Sequence, residues 1–169
     1  MLNAFWGQAA LAGETVPAGY ASAARAHGIP ADILYAVALT ESGKVVDRFR
    51  SSRPWPWTLN VGGKGYFYAS REDAHRAFLH FLEQGKRSID IGLMQVNWRW
   101  HRDELGDPWQ ALDPDLNLQV GARILGSCYR DRRDRWDAVG CYHAPNNPSV
   151  ASRYSEKVAA HWRRIAPQG

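Results

Sequence analysis

The chain lacks several things, and each absence closes a class of protein. No apolar run among its 169 residues approaches the roughly 18 that cross a membrane as a helix, so a helical span is excluded. Residues 1–12 lack a charged start and a long apolar stretch, so no signal peptide is read there; the chain is either cytosolic or a mature form without its leader. Cysteine is scarce: Cys128 and Cys141 alone make no disulfide framework. The pair flanks a short basic connection and either joins two adjacent helices, which implies an oxidising compartment, or stands as two buried thiols. The histidines show no metal-ligand spacing, so no metal and no other cofactor is expected. Charge of one sign is thin as well. The net +4 is concentrated in Arg130 to Arg135 and Arg163-Arg164, where Asp131, Asp134 and Asp137 interleave, so these arginines read as an ion-paired, solvated helix face. A pI near 9.3 suits acidic polymers in general, but no motif or concentrated basic face marks a nucleic-acid binder.

What is present suits one domain with a sizeable core: 45% of the residues are apolar. Eight Trp and seven Tyr exceed what that core needs, and surplus aromatics line grooves for sugar rings or bases as well as filling interiors. The pattern predicts a helix over 20–27, broken by Gly28, and a largely buried helix opened by Pro30 and Asp32 that ends near Ser42. Pro54 and Pro56 forbid a helix in 51–69, where Thr58 to Val61, a glycine turn at 62–65 and Tyr66-Phe67-Tyr68 read as a β-hairpin. Ser70 and Asp73 resemble a capping box opening a helix to about Gln84, stopped by Gly85; residues 86–97 read as irregular. Asp113-Pro114 opens the next helix, another spans Trp136 to Tyr142, and the last covers Val150 to Ile165 with Ser149 as its cap. The sum is mainly α with one small hairpin.

Two stretches carry chemistry. Glu41 ends the apolar run Ile33 to Leu39 and is followed by Ser42-Gly43. A carboxyl among apolar groups resists ionisation, as a general acid near neutral pH requires; the same residue facing solvent would be an ordinary helix end. In Ser88 to Asn97, Gly92 permits close backbone approach, Gln95 and Asn97 offer donors and acceptors for hydroxyl and acetamido groups, and Met94 offers a soft apolar contact. In isolation a buried polar turn explains that stretch equally well.

Thr40-Glu41-Ser42-Gly43, Gly92-Leu93-Met94-Gln95 and Val139-Gly140-Cys141-Tyr142-His143-Ala144 occur in the order found in the family 1 lytic transglycosylases, which the chain resembles over about residues 20–160. The resemblance implies a lysozyme-like fold similar to goose-type lysozyme. Pro54-Trp55-Pro56-Trp57-Thr58-Leu59-Asn60 looks like the subgroup that accompanies conjugation and secretion machines. By the resemblance, Glu41 is the sole catalytic acid/base and Ser42 helps place it or the substrate. Gln95 with Met94 binds sugar in the cleft, and Tyr142 matches the tyrosine of an Ala-Tyr-Asn segment. Tyr154 resembles a later tyrosine whose hydroxyl approaches the catalytic carboxylate. The chain departs from the pattern at His143, where Asn is usual, and at Pro145. A histidine at 143 either hydrogen-bonds sugar or is a tolerated exchange.

The resemblance implies cleavage of the β-1,4 bond between N-acetylmuramic acid and N-acetylglucosamine in peptidoglycan, closing a 1,6-anhydro ring without water. Hydrolysis needs a second carboxylate, and Asp90 and Asp47 are the candidates; the family pattern gives Asp90 a structural role. A hydrolytic muramidase and a non-catalytic glycan-binding module are the alternatives. The hairpin over 57–68 is expected to wall the cleft, with Tyr66 or Tyr68 stacking on sugar. Expected partners are peptidoglycan strands and secretion or conjugation proteins, with no nucleic acid. A monomer in the periplasm or cell envelope follows, and with it the Cys128–Cys141 disulfide that an oxidising compartment favours.

Overall fold

The computed structural model of the chain describes residues 15–46 and 51–165. The first helix, α1 (Ala18–His27), stops where Gly28 adopts a left-handed φ of 69° and turns its N–H back onto the carbonyls of Ala24 and Arg25. Next comes α2 (Ala31–Ser42). Pro30 stands ahead of it as the N-cap rather than inside its first turn, and its carbonyl accepts from the Leu34 N–H at 3.1 Å. Every residue from Ile33 to Leu39 is buried, because this helix is apolar all round and runs between α1 and the last helix of the chain. Burying Ile33, Leu34, Val37 and Leu39 contributes about 1.5–3 kcal/mol each, so the segment that delivers Glu41 is firmly anchored.

Directly after α2, β1 (Gly43–Val46) pairs antiparallel with β2 (Ser51–Pro54). The expected hairpin forms as β3 (Thr58–Val61) and β4 (Lys64–Phe67), with Gly62 and Gly63 at φ 62° and 83° in its turn. α3 (Arg71–Glu83) opens on Ser70, whose hydroxyl oxygen accepts from the Asp73 N–H.

Residues 86–97 are not irregular. They carry β5 (Ile89–Ile91) and β6 (Val96–Asn97), which extend the hairpin into an antiparallel sheet of order β4-β3-β5-β6. Strands this short show no usable alternation; pairing with β3 defines them. α4 (Trp98–Leu105), which the sequence pattern did not reveal, opens on Asn97, whose Oδ1 accepts from the Arg99 N–H.

α5 (Pro114–Asp131) begins as its sequence implies, with Asp113 Oδ1 accepting from the Asp115 and Leu116 N–H groups. α6 (Arg135–His143) is capped in the same way by Asp134. α7 (Pro148–Ile165) starts earlier than expected. Ser149 lies within it, and Asn147 Oδ1 accepts from the Val150 N–H at 3.1 Å. Pro148 needs no such partner, which suits it to the first helical position. The disulfide Cys128–Cys141 joins the end of α5 to α6, with Cα atoms 5.9 Å apart. The helices α1, α2, α5, α6 and α7 form one body, and the sheet with α3 and α4 lies beside it. Glu41 ends α2 where the two parts meet.

Candidate active site

Glu41 projects from the last turn of α2 with its side chain 13% exposed. The Tyr154 hydroxyl, from α7, donates to Glu41 Oε1 at 2.6 Å. His143 Nδ1, from the end of α6, lies 3.9 Å from the same oxygen, and the His143 ring stacks flat on Tyr154 with centroids 4.4 Å apart. Burial raises the Glu41 pKa to about 7; the nearby Asp90 charge raises it further, while the Tyr154 hydrogen bond opposes both. Burial and the neighbouring carboxyl push Tyr154 well above its ordinary value, so it keeps its proton and serves as a donor. Near neutral pH, Glu41 therefore exchanges a proton readily in either direction.

The turn Gly92–Gln95 faces Glu41 and is held from three sides. Gly92 has φ 77°, and a Cβ there would fall 2.5 Å from the buried Asn117 side chain. Asn117 uses that proximity: its Oδ1 accepts from the Met94 N–H at 3.0 Å and its Nδ2 donates to the Ile91 carbonyl at 2.8 Å. From α2 the Ser42 hydroxyl donates to the Leu93 carbonyl at 2.7 Å, and from α6 the Tyr142 hydroxyl donates to the Met94 carbonyl at 2.6 Å. Gln95 takes φ 46°, an uncommon conformation for a side chain with a Cβ, and Nε2 donates to the Gly92 carbonyl at 3.0 Å. These bonds tie the glutamate helix to the turn, so the two motifs act as one rigid unit.

A cleft of about 710 Å³ opens over Glu41, with Asn60, Asp90, Gln95 and Asn97 from the sheet side and Tyr142 and His143 opposite. Both disulfide cysteines line it. Strand alternation puts Asn60, Asp90 and Asn97 on the cleft face of the sheet, and Asn97 Nδ2 donates to Asp90 Oδ1 at 2.7 Å. Burial raises the Asp90 pKa, against the pull of the Asn97 hydrogen bond and of His143. Asp47, the other candidate second carboxylate, lies outside the described residues.

Four residues expected to place or touch sugar are placed otherwise. The Met94 side chain is 0% exposed and sits against Gly121, where a Cβ would come within 2.4 Å of it. Ser42 is fully buried and spent on the Leu93 carbonyl, so it positions the turn. Tyr66 is registered with Leu59, on the face of the sheet away from Asp90, and packs on Phe81 with centroids 5.3 Å apart; it does not line the cleft. Tyr68 is likewise packed against the core. Conversely, Trp100 lines the cleft and is 69% exposed, and the sequence pattern did not mark it. Its signal was the capping Asn97: once a helix starts there, Trp98 turns inward onto Phe78 at 5.1 Å and Trp100 points elsewhere.

The family described as "Transglycosylase SLT domain" matches residues 20–160 of the chain. The chain is similar to "Invasion protein IagB" of Salmonella typhimurium, strains SL1344 and LT2, and of Salmonella typhi. Each is 31% identical over 85 residues, which cover 46% of this chain and 53% of the relative. The chain thus spans about half the length of the curated relatives it matches. No solved structure matches it significantly.

Proposed function

The chain belongs to the transglycosylase SLT domain family, and from that premise we propose that it is a peptidoglycan lytic transglycosylase in which Glu41 is both acid and base. The observation that carries this reading is the pairing of a buried carboxyl, its pKa near 7, with the Tyr154 donor in an open cleft. Protonated Glu41 gives its proton to the oxygen bridging muramic acid and glucosamine as an oxocarbenium-like centre develops at C1. The muramyl acetamido group stabilises that centre. Glu41, now ionised and held by the Tyr154 hydrogen bond, takes the proton of the C6 hydroxyl. That oxygen closes on C1 to give the 1,6-anhydro product, and no water is consumed. Gln95 and Asn97 on one wall and Trp100 at its rim supply hydrogen bonds and an aromatic face for the sugars, and Tyr142 keeps the turn in place.

Mass spectrometry of muropeptides released by the wild type and by Glu41→Gln tests this. Anhydro-muramic ends from the wild type and none from the variant are expected. Reducing muramic ends without anhydro ends would sink the transglycosylase reading.

One observation favours a second reading. Asp90 shares the cleft and interacts electrostatically with Glu41 and His143, as a group that positions water or steadies a cationic centre would. If it does, the enzyme is a hydrolytic muramidase. In that case Asp90→Asn abolishes the release of reducing ends; in the transglycosylase case anhydro products persist.

The wall substrate places the working protein in the periplasm or envelope, where the Cys128–Cys141 disulfide is stable. Similarity to a protein named for invasion supports local wall opening for a secretion or conjugation machine. No described helix is long and apolar enough to cross a membrane. The protein acts as a monomer on single glycan strands in this scheme.

A further inference from the structure

A second hollow, of about 990 Å³, lies at the hairpin tip and the start of α4 and shares no lining residue with the Glu41 cleft. Its floor is aromatic. Tyr66, Phe81 and Trp98 are each half-buried, with Tyr66 on Phe81 and Trp98 on Phe78. Its rim is cationic: Lys86, Arg87, Arg99 and Arg102 are all exposed, and no Asp or Glu lines the hollow. Two exposed carboxylates flank the rim, and one of them pairs with a rim cation. Asp103 faces Arg102 at 3.5 Å, and Glu83 lies 4.0 Å from His80.

The polar chemistry of this lining selects its ligand. Lysine and arginine only donate hydrogen bonds, and so does the tryptophan ring. A glycan hydroxyl both donates and accepts, and the Glu41 cleft meets it with carboxylates and amides; this hollow offers as side-chain acceptors only the Gln84 amide and the Ser88 and Tyr66 hydroxyls, against four cationic donors. A carboxylate only accepts, and guanidinium forks receive it well. The aromatic floor adds a demand for apolar side chains, which a plain polyanion does not meet. We propose that this hollow docks an acidic segment of a partner protein, its carboxylates on the Lys86–Arg102 rim and one or two apolar side chains on the Tyr66–Phe81–Trp98 floor. Arg99 belongs to the rim, and its guanidinium lies 4.8 Å from the ring of Trp100, which lines the Glu41 cleft.

Panning a random peptide display library on the full chain tests this. Enriched sequences are expected to be rich in Asp and Glu around a Phe, Trp or Leu. The synthesised peptides should bind about tenfold or more weakly to Lys86→Glu/Arg102→Glu, and more weakly as salt rises. The milder Lys86→Gln/Arg102→Gln should give a loss of the same sign, and unchanged melting and wall digestion separate either loss from misfolding. Enrichment without acidic bias, or equal affinity for the charge-reversed variant, would overturn the proposal. So would polyglutamate binding as tightly as the anchored peptides, since the aromatic floor would then be unused. Displacement of the peptides by muropeptides or a phosphate-rich wall polymer at lower concentration would assign the hollow to the wall instead.

Discussion

The two hollows lie against the same sheet and the same helix yet have opposite chemistry. The Glu41 cleft is rich in acceptors, with Glu41, Asp90, Asn60, Gln95 and Asn97 exposed to its space. The second hollow is rimmed by donors that carry fixed positive charge. One stretch, 88–102, feeds both. Asp90 and Asn97 turn to the cleft, Ser88 and Arg99 to the other hollow, and Trp98 and Trp100, two residues apart on α4, face one each. Residues two apart on a helix point in different directions, and Ser88 lies ahead of the strand that carries Asp90, so a short segment can furnish two unlike surfaces. A net charge of +4 describes neither surface.

The largest test of this division is Glu41→Gln. It should lower wall cleavage by about a thousandfold, the loss expected when a general acid is removed, while peptide binding at the basic hollow stays within error. A parallel loss of both would break the division. The same variant should be more stable than the wild type at pH 8. The Glu41 pKa rises from 4.5 to about 7 on folding, so its favourable contribution is full below 4.5 and is lost as pH rises through 7; at pH 8 an ionised, buried carboxylate opposes folding. Removing it should gain on the order of 3 kcal/mol in denaturant melts at pH 8, and the gain should shrink as pH falls toward 4.5. A pH-independent difference would mean that Glu41 titrates like an exposed carboxylate.

Trp100→Ala should raise KM for glycan strands by about five- to tenfold with little change in kcat, if the exposed ring that lines the cleft stacks on sugar away from the reacting atoms as proposed. Tyr154→Phe removes a hydrogen bond that favours ionised Glu41. The alkaline limb of the pH–rate profile should therefore move up by about one unit. A downward move would mean that the hydroxyl serves the protonated form. The smallest effect belongs to His143. Burial, reinforced by Lys157, lowers its pKa below 6.5 against the pull of Asp90, so it is neutral near pH 7 and charges on acidification. The cation, 3.9 Å from Glu41, then favours the carboxylate and removes the acid form. His143→Asn should raise activity about two- to threefold at pH 5 and leave it unchanged at pH 7.

Much of the fold was legible where local rules act alone. Asp113-Pro114, Ser70 with Asp73, and Gly28 set helix ends through caps and a left-handed glycine, and the observed ends agree. The pairing of β5 and β6 was not legible, because strands of three and two residues exist only by bonding to β3. The site was legible in its motif order but not in the orientation of its members. Met94 was read as a sugar contact because it is soft and apolar; packing against Gly121 turned it inward. Tyr66 was read as a cleft wall because it belongs to the hairpin, and one step of register put it on the other face.

The sequence by itself determined the wholly apolar helix that ends in Glu41, the caps that start its neighbours, and the order of motifs that marks the family. Those depend on residues close together in the chain. The resemblance already matched Tyr154 to Glu41, 113 positions away; tertiary structure alone decided how deeply that pair is buried, that Asp90 enters the cleft, and that four cations surround an aromatic floor on the far side of the sheet. Burial, and the pKa it raises, is a property of what distant segments place around a group, which no local pattern records.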